Sequence, residues 1–137
     1  MSIFVDTSVW YSAMDSADRQ NSRAKEILLE GEPLITSDHV LIETWFLTRR
    51  RLNKKAADSY WDRLRGGVAS IEPVGTADLE VARSILESFA DQDFSIVDCT
   101  SFAVMLRLGL TTAAAFDVHF SVFRFGQRKH KAFQVLN

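Results

Sequence analysis

Four acidic residues stand where a carboxylate is costly or conspicuous. Asp6 ends the apolar run Ile3-Phe4-Val5 and is followed by Thr7 and Ser8, while Asp117 ends the run Ala113-Ala114-Ala115-Phe116. Glu43 lies between Val40-Leu41-Ile42 and Trp45-Phe46-Leu47, and Asp98 has Phe102, Met105 and Leu106 at helical spacing behind it. Short continuous β-branched and aromatic runs read as strands buried on both faces. Asp6 and Asp117 then emerge at strand carboxyl ends, the edge where open α/β sheets bind ligands. Local explanations exist for two of the four: Asp6 suits a helix N-cap, and Ser95-x-x-Asp98 fits a capping box. Glu43 lies too deep in its helix to cap anything, although a polar stripe through His39, Glu43 and Arg50 would leave it solvated. If the four converge, they cannot all stay ionised without a cation, because close like charges raise one another's pKa. Hard divalent ions such as Mg²⁺ or Mn²⁺ prefer oxygen ligands of this kind. His39, His119 and His130 share no ligand spacing with Cys99, so a Cys/His zinc site is not expected.

Positioning four distant acids at one place requires a fold that alternates strands and helices. Helical spacing predicts helices over residues 19–30, 38–52, 54–64, 76–89 and 95–108, with a first helix directly after Asp6. Ser37 or Asp38, Thr76 and Ser95 are the expected caps, and Gly31, Gly66-Gly67 and Gly109 the expected stops. Strands are expected at 3–5, 33–36, 68–74, 112–116 and 133–136. Alternation of this kind implies a parallel sheet covered on both faces, a three-layer α/β/α fold, as one domain over residues 1–137.

Composition is that of an ordinary globular protein, at 47% hydrophobic and 25% charged residues. No apolar stretch approaches the ~18 residues of a membrane span, no secretory leader follows Met1, and the single Cys99 suits a reducing compartment; a cytoplasmic protein is expected. The net charge of −2 hides two basic clusters. One comprises Arg49, Arg50, Arg51, Lys54, Lys55, Arg63 and Arg65, and the other Arg124, Arg128, Lys129 and Lys131. Such clusters are often only solvated faces, but beside an acidic metal site they suit a polyanionic substrate. The 38–52 helix is apolar on more sides than one sheet surface covers, which predicts an interface.

Other chemistries fail at named residues. A phosphoacceptor hydrolase wants a second Asp two after the first, where Ser8 stands, and no Ser/His/Asp or Cys/His arrangement offers a covalent route. The segments IFVDTSVW, TSDHVLIETWFLTRR, DFSIVDCTSF and AAAFDVHF, in this order and separation, resemble the PIN domains, and specifically the VapC-type ribonuclease toxins of prokaryotic toxin–antitoxin pairs. The resemblance implies a PIN-like fold and a Mg²⁺-dependent endoribonuclease, with Mn²⁺ as a substitute. It makes Asp6, Glu43, Asp98 and Asp117 the metal-binding, catalytic acids, with Ser8 a polar helper beside Asp6; Ser95 supports Asp98 as its cap, and the basic cluster at Arg49, Arg50 and Arg51 is expected to hold the RNA. It further implies a homodimer and a small cognate antitoxin that covers the acidic site. A PIN-like module that binds RNA or protein without catalysis is the alternative. Similar proteins often carry a hydroxyl or amide residue two before the last acid, where this chain has Ala115.

Overall fold

A computed structural model describes all 137 residues, Met1–Asn137. Its centre is β1 (Ile3–Val5), whose residues are all buried. Successive side chains of a strand point to opposite faces, and Phe4 and Val5 are both fully buried, so both faces of the sheet are covered. After α1 (Thr7–Met14) and α2 (Asn21–Leu28) the chain returns as β2 (Leu34–Ser37). Next come α3 (Asp38–Arg51), α4 (Lys54–Arg63), a π-helical turn (Leu64–Val68), β3 (Ser70–Glu72), α5 (Thr76–Ser88) and α6 (Ile96–Leu108). The chain closes with β4 (Thr112–Ala114), α7 (His119–Val122), a 3-10 turn (Gln127–Lys129) and β5 (Gln134–Leu136). All strand pairs are parallel, in the order β3-β2-β1-β4-β5, with Phe4 opposite both Ile35 and Ala113. Parallel neighbours need crossover connections, and the helices supply them, giving the expected α/β/α architecture. No helix is long and apolar enough to cross a membrane.

Caps fix most boundaries. Ser37 accepts from the Val40 amide at 3.1 Å to start α3, Asn53 accepts from the Ala56 amide at 2.8 Å to start α4, and Gly109, at φ 69°, ends α6 in the left-handed conformation glycine tolerates. The start of α5 departs from expectation: Gly75 is its cap, and Thr76 is its first helical residue. There Asp78, on the first turn, accepts the Gly75 amide at 3.0 Å and pairs with Arg107 of α6, leaving the hydroxyl without a role. The 112–116 strand also ends early, at Ala114. Ala115 still donates to the Leu136 carbonyl at 3.1 Å, but the chain then turns away, so Asp117 stands three residues beyond the strand and not at its last position. Residues 19 and 20 precede α2 because the Gln20 amide is taken by the Asp18 side chain at 2.8 Å.

The largest correction concerns α3. Only Val40, Leu41, Thr44 and Thr48 are buried, because α1, α4 and the sheet cover one side of the helix. Ile42 and Phe46 are 44% and 63% exposed, so the apolar residues do not enclose Glu43 in a core. Cys99 is a buried thiol, pushed up to about 11 by burial, in keeping with a packing role.

Beneath α6 and α7 lies an aromatic cluster. Phe102 stacks on Phe123 at 4.4 Å and meets Phe120 edge-on at 5.0 Å, and Phe94 meets Phe102 edge-on at 5.4 Å. Phe102 is fully buried one helical turn after Asp98, so the cluster is the floor on which that acid rests. Phe102→Ala is expected to lower stability by about 3–5 kcal/mol in urea unfolding. A loss below about 1 kcal/mol would mean that the neighbouring rings refill the space.

Candidate active site

Asp6 follows β1 and caps α1. Its Oδ2 accepts from the Ser8 amide at 3.2 Å and from the Ser8 hydroxyl at 2.7 Å, and Oδ1 has no partner in the protein. Ser8 Oγ in turn accepts the Phe116 amide at 3.0 Å, while the Asp6 amide donates to the Ala114 carbonyl at 3.0 Å. One serine thus ties the end of β1 to the segment leaving β4, and this brings Asp6 and Asp117 to the same edge.

Asp98 repeats the pattern at α6. The expected capping box is present: the Asp98 amide donates to Ser95 Oγ at 3.0 Å, and Asp98 Oδ2 accepts the Ser95 amide at 3.0 Å. Oδ2 also receives His119 Nδ1 at 2.7 Å, and again Oδ1 is left without a protein partner. Asp117 Oδ1 accepts the His119 amide at 2.8 Å and lies 3.1 Å from the His119 ring nitrogen. Both oxygens facing Nδ1 belong to carboxylates, so the proton is assigned to Nδ1, which donates to Asp98 and lies beside Asp117. The ring is held edge-on by Phe94 at 5.3 Å.

Asp6, Glu43, Asp98 and Asp117 all line one cleft of about 400 Å³, together with Ser8, Ser95 and His119. The tightest grouping is Asp98, Asp117 and His119, whose ligand-capable atoms lie within 4.8 Å of one another, and Asp6 and Glu43 flank it. Glu43 is half-buried, beside Thr7, and also borders an adjoining groove lined by Ile42, Phe46 and Arg50. The cleft therefore draws on β1, α3, α6 and the segment after β4, as the alternation of elements implied.

His119 was missed by sequence reasoning. The signal was its place two residues after Asp117, where an Asx-type turn folds the ring back onto the acid. The arginine triplet does not act as one group. Arg51 is the sole Lys or Arg lining the cleft, its guanidinium 5.2 Å above the Tyr11 ring, and Arg50 faces the adjoining groove. Arg49 lies over Trp45 at 5.8 Å.

Burial and crowding govern the charges. Burial pushes the Asp6 carboxyl up to about 7, opposed by the Ser8 bonds and reinforced by Asp98 and Asp117. Burial likewise raises Asp98, against bonds from Ser95 and His119, and raises Glu43, against the Thr7 hydroxyl. Asp6, Glu43 and Asp98, raised in one cleft, are carboxyls whose burial and repulsion a bound cation would relieve.

Residues 3–126 match the PIN domain family. The chain belongs to that family. Among PIN proteins it is 41% identical over 125 residues to the 23S rRNA-specific endonuclease VapC20 of Mycobacterium tuberculosis, covering 90% of this chain and 95% of the relative. Ribonuclease VapC26 of the same organism is 26% identical over 124 residues, covering 89% and 92%. The crystal structure of VapC20, described as a sarcin-ricin loop cleaving toxin, superposes with a TM-score of 0.84 at 37% identity, covering 88% of this chain and 93% of that one. VapBC2 from Rickettsia felis, solved bound to a promoter DNA fragment, shares the fold with a TM-score of 0.69 at 13% identity over the whole of both chains.

In this PIN domain a raised carboxyl holds its proton more tightly folded than unfolded. Metal-free stability should therefore fall as pH rises from about 4, the unfolded value, to about 7, and level off above that. Asp6→Asn keeps an oxygen for Ser8, so it should flatten this profile and be at least as stable as the parent at about pH 8, measured by urea midpoints in EDTA. A marked loss of stability in that variant at high pH would mean that charge in the capping bond outweighs burial.

Proposed function

We propose that this PIN domain is a divalent-metal-dependent endoribonuclease of the VapC toxin type, with Asp6, Glu43, Asp98 and Asp117 holding one or two Mg²⁺ or Mn²⁺ ions. The observation that carries the reading is the division of labour within the aspartates. Asp6, Asp98 and Asp117 each commit one oxygen to bonds that fix the side chain and keep the other free of protein partners in a shared cleft. An oxygen-rich donor set with a single imidazole suits a hard cation and not a thiolate-loving one. When bound, such an ion supplies an activated water and neutralises charge on the phosphate and the leaving oxygen.

The chain's own residues position and shield. Ser8 holds Asp6, Ser95 holds Asp98, and His119 spans Asp98 and Asp117 so that the acids keep one geometry despite their repulsion. Arg51 faces the cleft and suits a phosphate of the bound RNA, Arg50 beside it at the end of α3 suits a neighbouring phosphate, and Arg49 lies over Trp45. The 41% identity to VapC20 makes 23S ribosomal RNA the first substrate to test.

Two apolar surfaces fit two protein partners. The exposed Ile42 and Phe46 on α3 suit a second copy of this chain. A separate hollow of about 360 Å³, lined by Trp10, Met14, Leu28, Tyr60 and Leu64 with Lys25 and Arg63 at its rim, suits an apolar anchor of a small antitoxin. A guanidinium from such a partner would neutralise the acids in place of metal.

Cleavage of RNA should require Mg²⁺ or Mn²⁺, vanish in EDTA, and fall by about 10²-fold or more in Asp98→Asn or Asp117→Asn, with folding retained. Arg51→Glu should weaken RNA binding and Arg49→Glu leave it nearly unchanged. Undiminished cleavage in excess chelator would remove the metal reading, and absence of any cleavage with intact RNA binding would favour the non-catalytic module. For the assembly, light scattering at micromolar concentration should give a dimer that Phe46→Asp dissociates without loss of thermal stability. A monomeric parent that copurifies with no small partner encoded beside it would withdraw the toxin assignment.

A further inference from the structure

Beyond Asp117 the sequence contains Arg124, Arg128, Lys129 and Lys131 and no Asp or Glu. Arg124 is occupied locally, its guanidinium donating to the carbonyls of Ser121, Val122 and Phe123 at the end of α7. The other three lie on a tight hairpin, residues 126–131, closed by reciprocal backbone bonds between Phe125 and Lys131 at 2.9 and 3.0 Å. All residues from 126 to 132 are exposed, and none is a large apolar side chain. Arg23, Lys54, Arg83 and Arg107 are engaged in ion pairs, whereas Arg128, Lys129 and Lys131 have none.

The backbone gives a second, independent observation. Arg128 and Lys129 have φ of 58° and 54°, and they are the non-glycine residues of the chain in the left-handed region. Glycine at either position would relieve the steric cost, yet two long cations stand there in succession. A strained conformation that carries a specific side-chain chemistry motivates a role for that chemistry. The hairpin is also firmly mounted. Phe125 packs on Phe133 at 4.8 Å and on Phe123 at 6.0 Å, and Lys129 Nζ sits 4.5 Å from the centre of the Phe89 ring. Phe89 touches Phe94 at 5.5 Å, and Phe94 is the ring that holds His119, so hairpin and acidic cleft stand on one aromatic wall.

We propose that the 126–131 hairpin is a phosphate clamp that grips the RNA backbone beside the cleaved bond through Arg128, Lys129 and Lys131. This rests on the ribonuclease reading for the identity of the polyanion. The need is electrostatic: the cleft is lined by acids with Arg51 as its one Lys or Arg, so a polyanion is repelled until cations outside the cleft hold it. Arg50 and Arg51 supply one side, at the end of α3. The hairpin, linked to the cleft wall through Lys129, Phe89, Phe94 and His119, supplies the other. An RNA backbone is favoured over a protein because the tip offers charge without an aromatic or aliphatic anchor. Contacts of this kind give affinity and register and read no bases.

The deciding measurement is a salt titration of RNA binding in EDTA, by fluorescence anisotropy, with two stem-loop RNAs of equal length and different sequence. Arg128→Gly/Lys129→Gly should bind both RNAs roughly tenfold or more weakly at physiological salt, with the log–log salt slope smaller by about 1.4–1.8 for two lost contacts. Its melting temperature should stay close to the parent's, relief of the two left-handed residues offsetting loss of the Lys129–Phe89 contact. Lys131→Ala, which leaves the turn untouched, should reduce the slope by about 0.7–0.9. Unchanged affinity and slope in both variants would overturn the clamp, and so would a loss confined to one of the two sequences. Retained RNA binding with loss of a copurifying protein would reassign the hairpin to that protein and likewise overturn it. Cleavage in Mg²⁺ is scored separately. A parent that cleaves while the variants bind normally removes the clamp and keeps the nuclease. Hairpin-dependent binding by a parent that never cleaves keeps the clamp and removes the nuclease.

Discussion

Carboxylates gathered at one sheet edge repel one another and lose hydration, and the local structure around them exists to contain that cost. Backbone amides at helix starts share the work with the Ser8 hydroxyl and the His119 ring. Asp6 takes the Ser8 amide at the start of α1, Asp98 takes the Ser95 amide at the start of α6, and Asp117 takes the His119 amide at the start of α7. Such amides have no partner within their own helices, so each acid satisfies a donor that would otherwise need another acceptor. The bonds also favour the charged form, opposing the burial that raises Asp6 and Asp98. Capping and ion binding are therefore not rival explanations for these residues. A carboxylate has two oxygens, and the fold uses one of each to fix the other.

Most elements could be read in the sequence because their signals are local. Ser37 and Ser95 mark helix starts by side-chain bonds that reach three residues, and Gly109 marks an end by a backbone angle. The convergence of Asp6 and Asp117 followed from parallel pairing of their strands with one another. What escaped was set by neighbours distant in sequence. The strand through Ala113 stops where β1 stops needing a partner, which no property of Ala115 or Phe116 announces. The exposure of α3 depends on how much of it α1 and α4 cover, so composition overstated the burial around Glu43. The arginines of its last turn diverge because consecutive helical residues do not share a face. His119 was weighed only against Cys99 and the other histidines, whereas its partners proved to be carboxylates.

The charge distribution makes sense against the same constraint. With the acids concentrated in the cleft, cations placed among them would neutralise the site and block an ion. Arg107 is instead spent on Asp78 and Glu72, joining α5, α6 and β3. Unpaired cations stand at the α3 terminus and on the hairpin beyond α7, and of all the lysines and arginines Arg51 alone lines the acidic cleft. On the proposed ribonuclease reading, their long-range field would draw a polyanion in from solution.

Ser8 shows how little side chain the arrangement needs. Its hydroxyl donates to Asp6 and accepts from the Phe116 amide, so a single group fixes an acid after β1 and the backbone that leads from β4 to Asp117. This bears on Ala115, the position where the family resemblance leads one to expect a hydroxyl or amide residue. Ala115 is 1% exposed, and its own amide is already bonded to Leu136 in the sheet. A polar side chain there would need a further buried partner, since an unsatisfied hydroxyl costs about 1–3 kcal/mol. The neighbouring amide that a polar residue would be placed to steady is held from across the sheet by Ser8. The methyl group at 115 therefore leaves the approach to Asp117 supported by hydrogen bonds, with the support drawn from the β1 side of the edge.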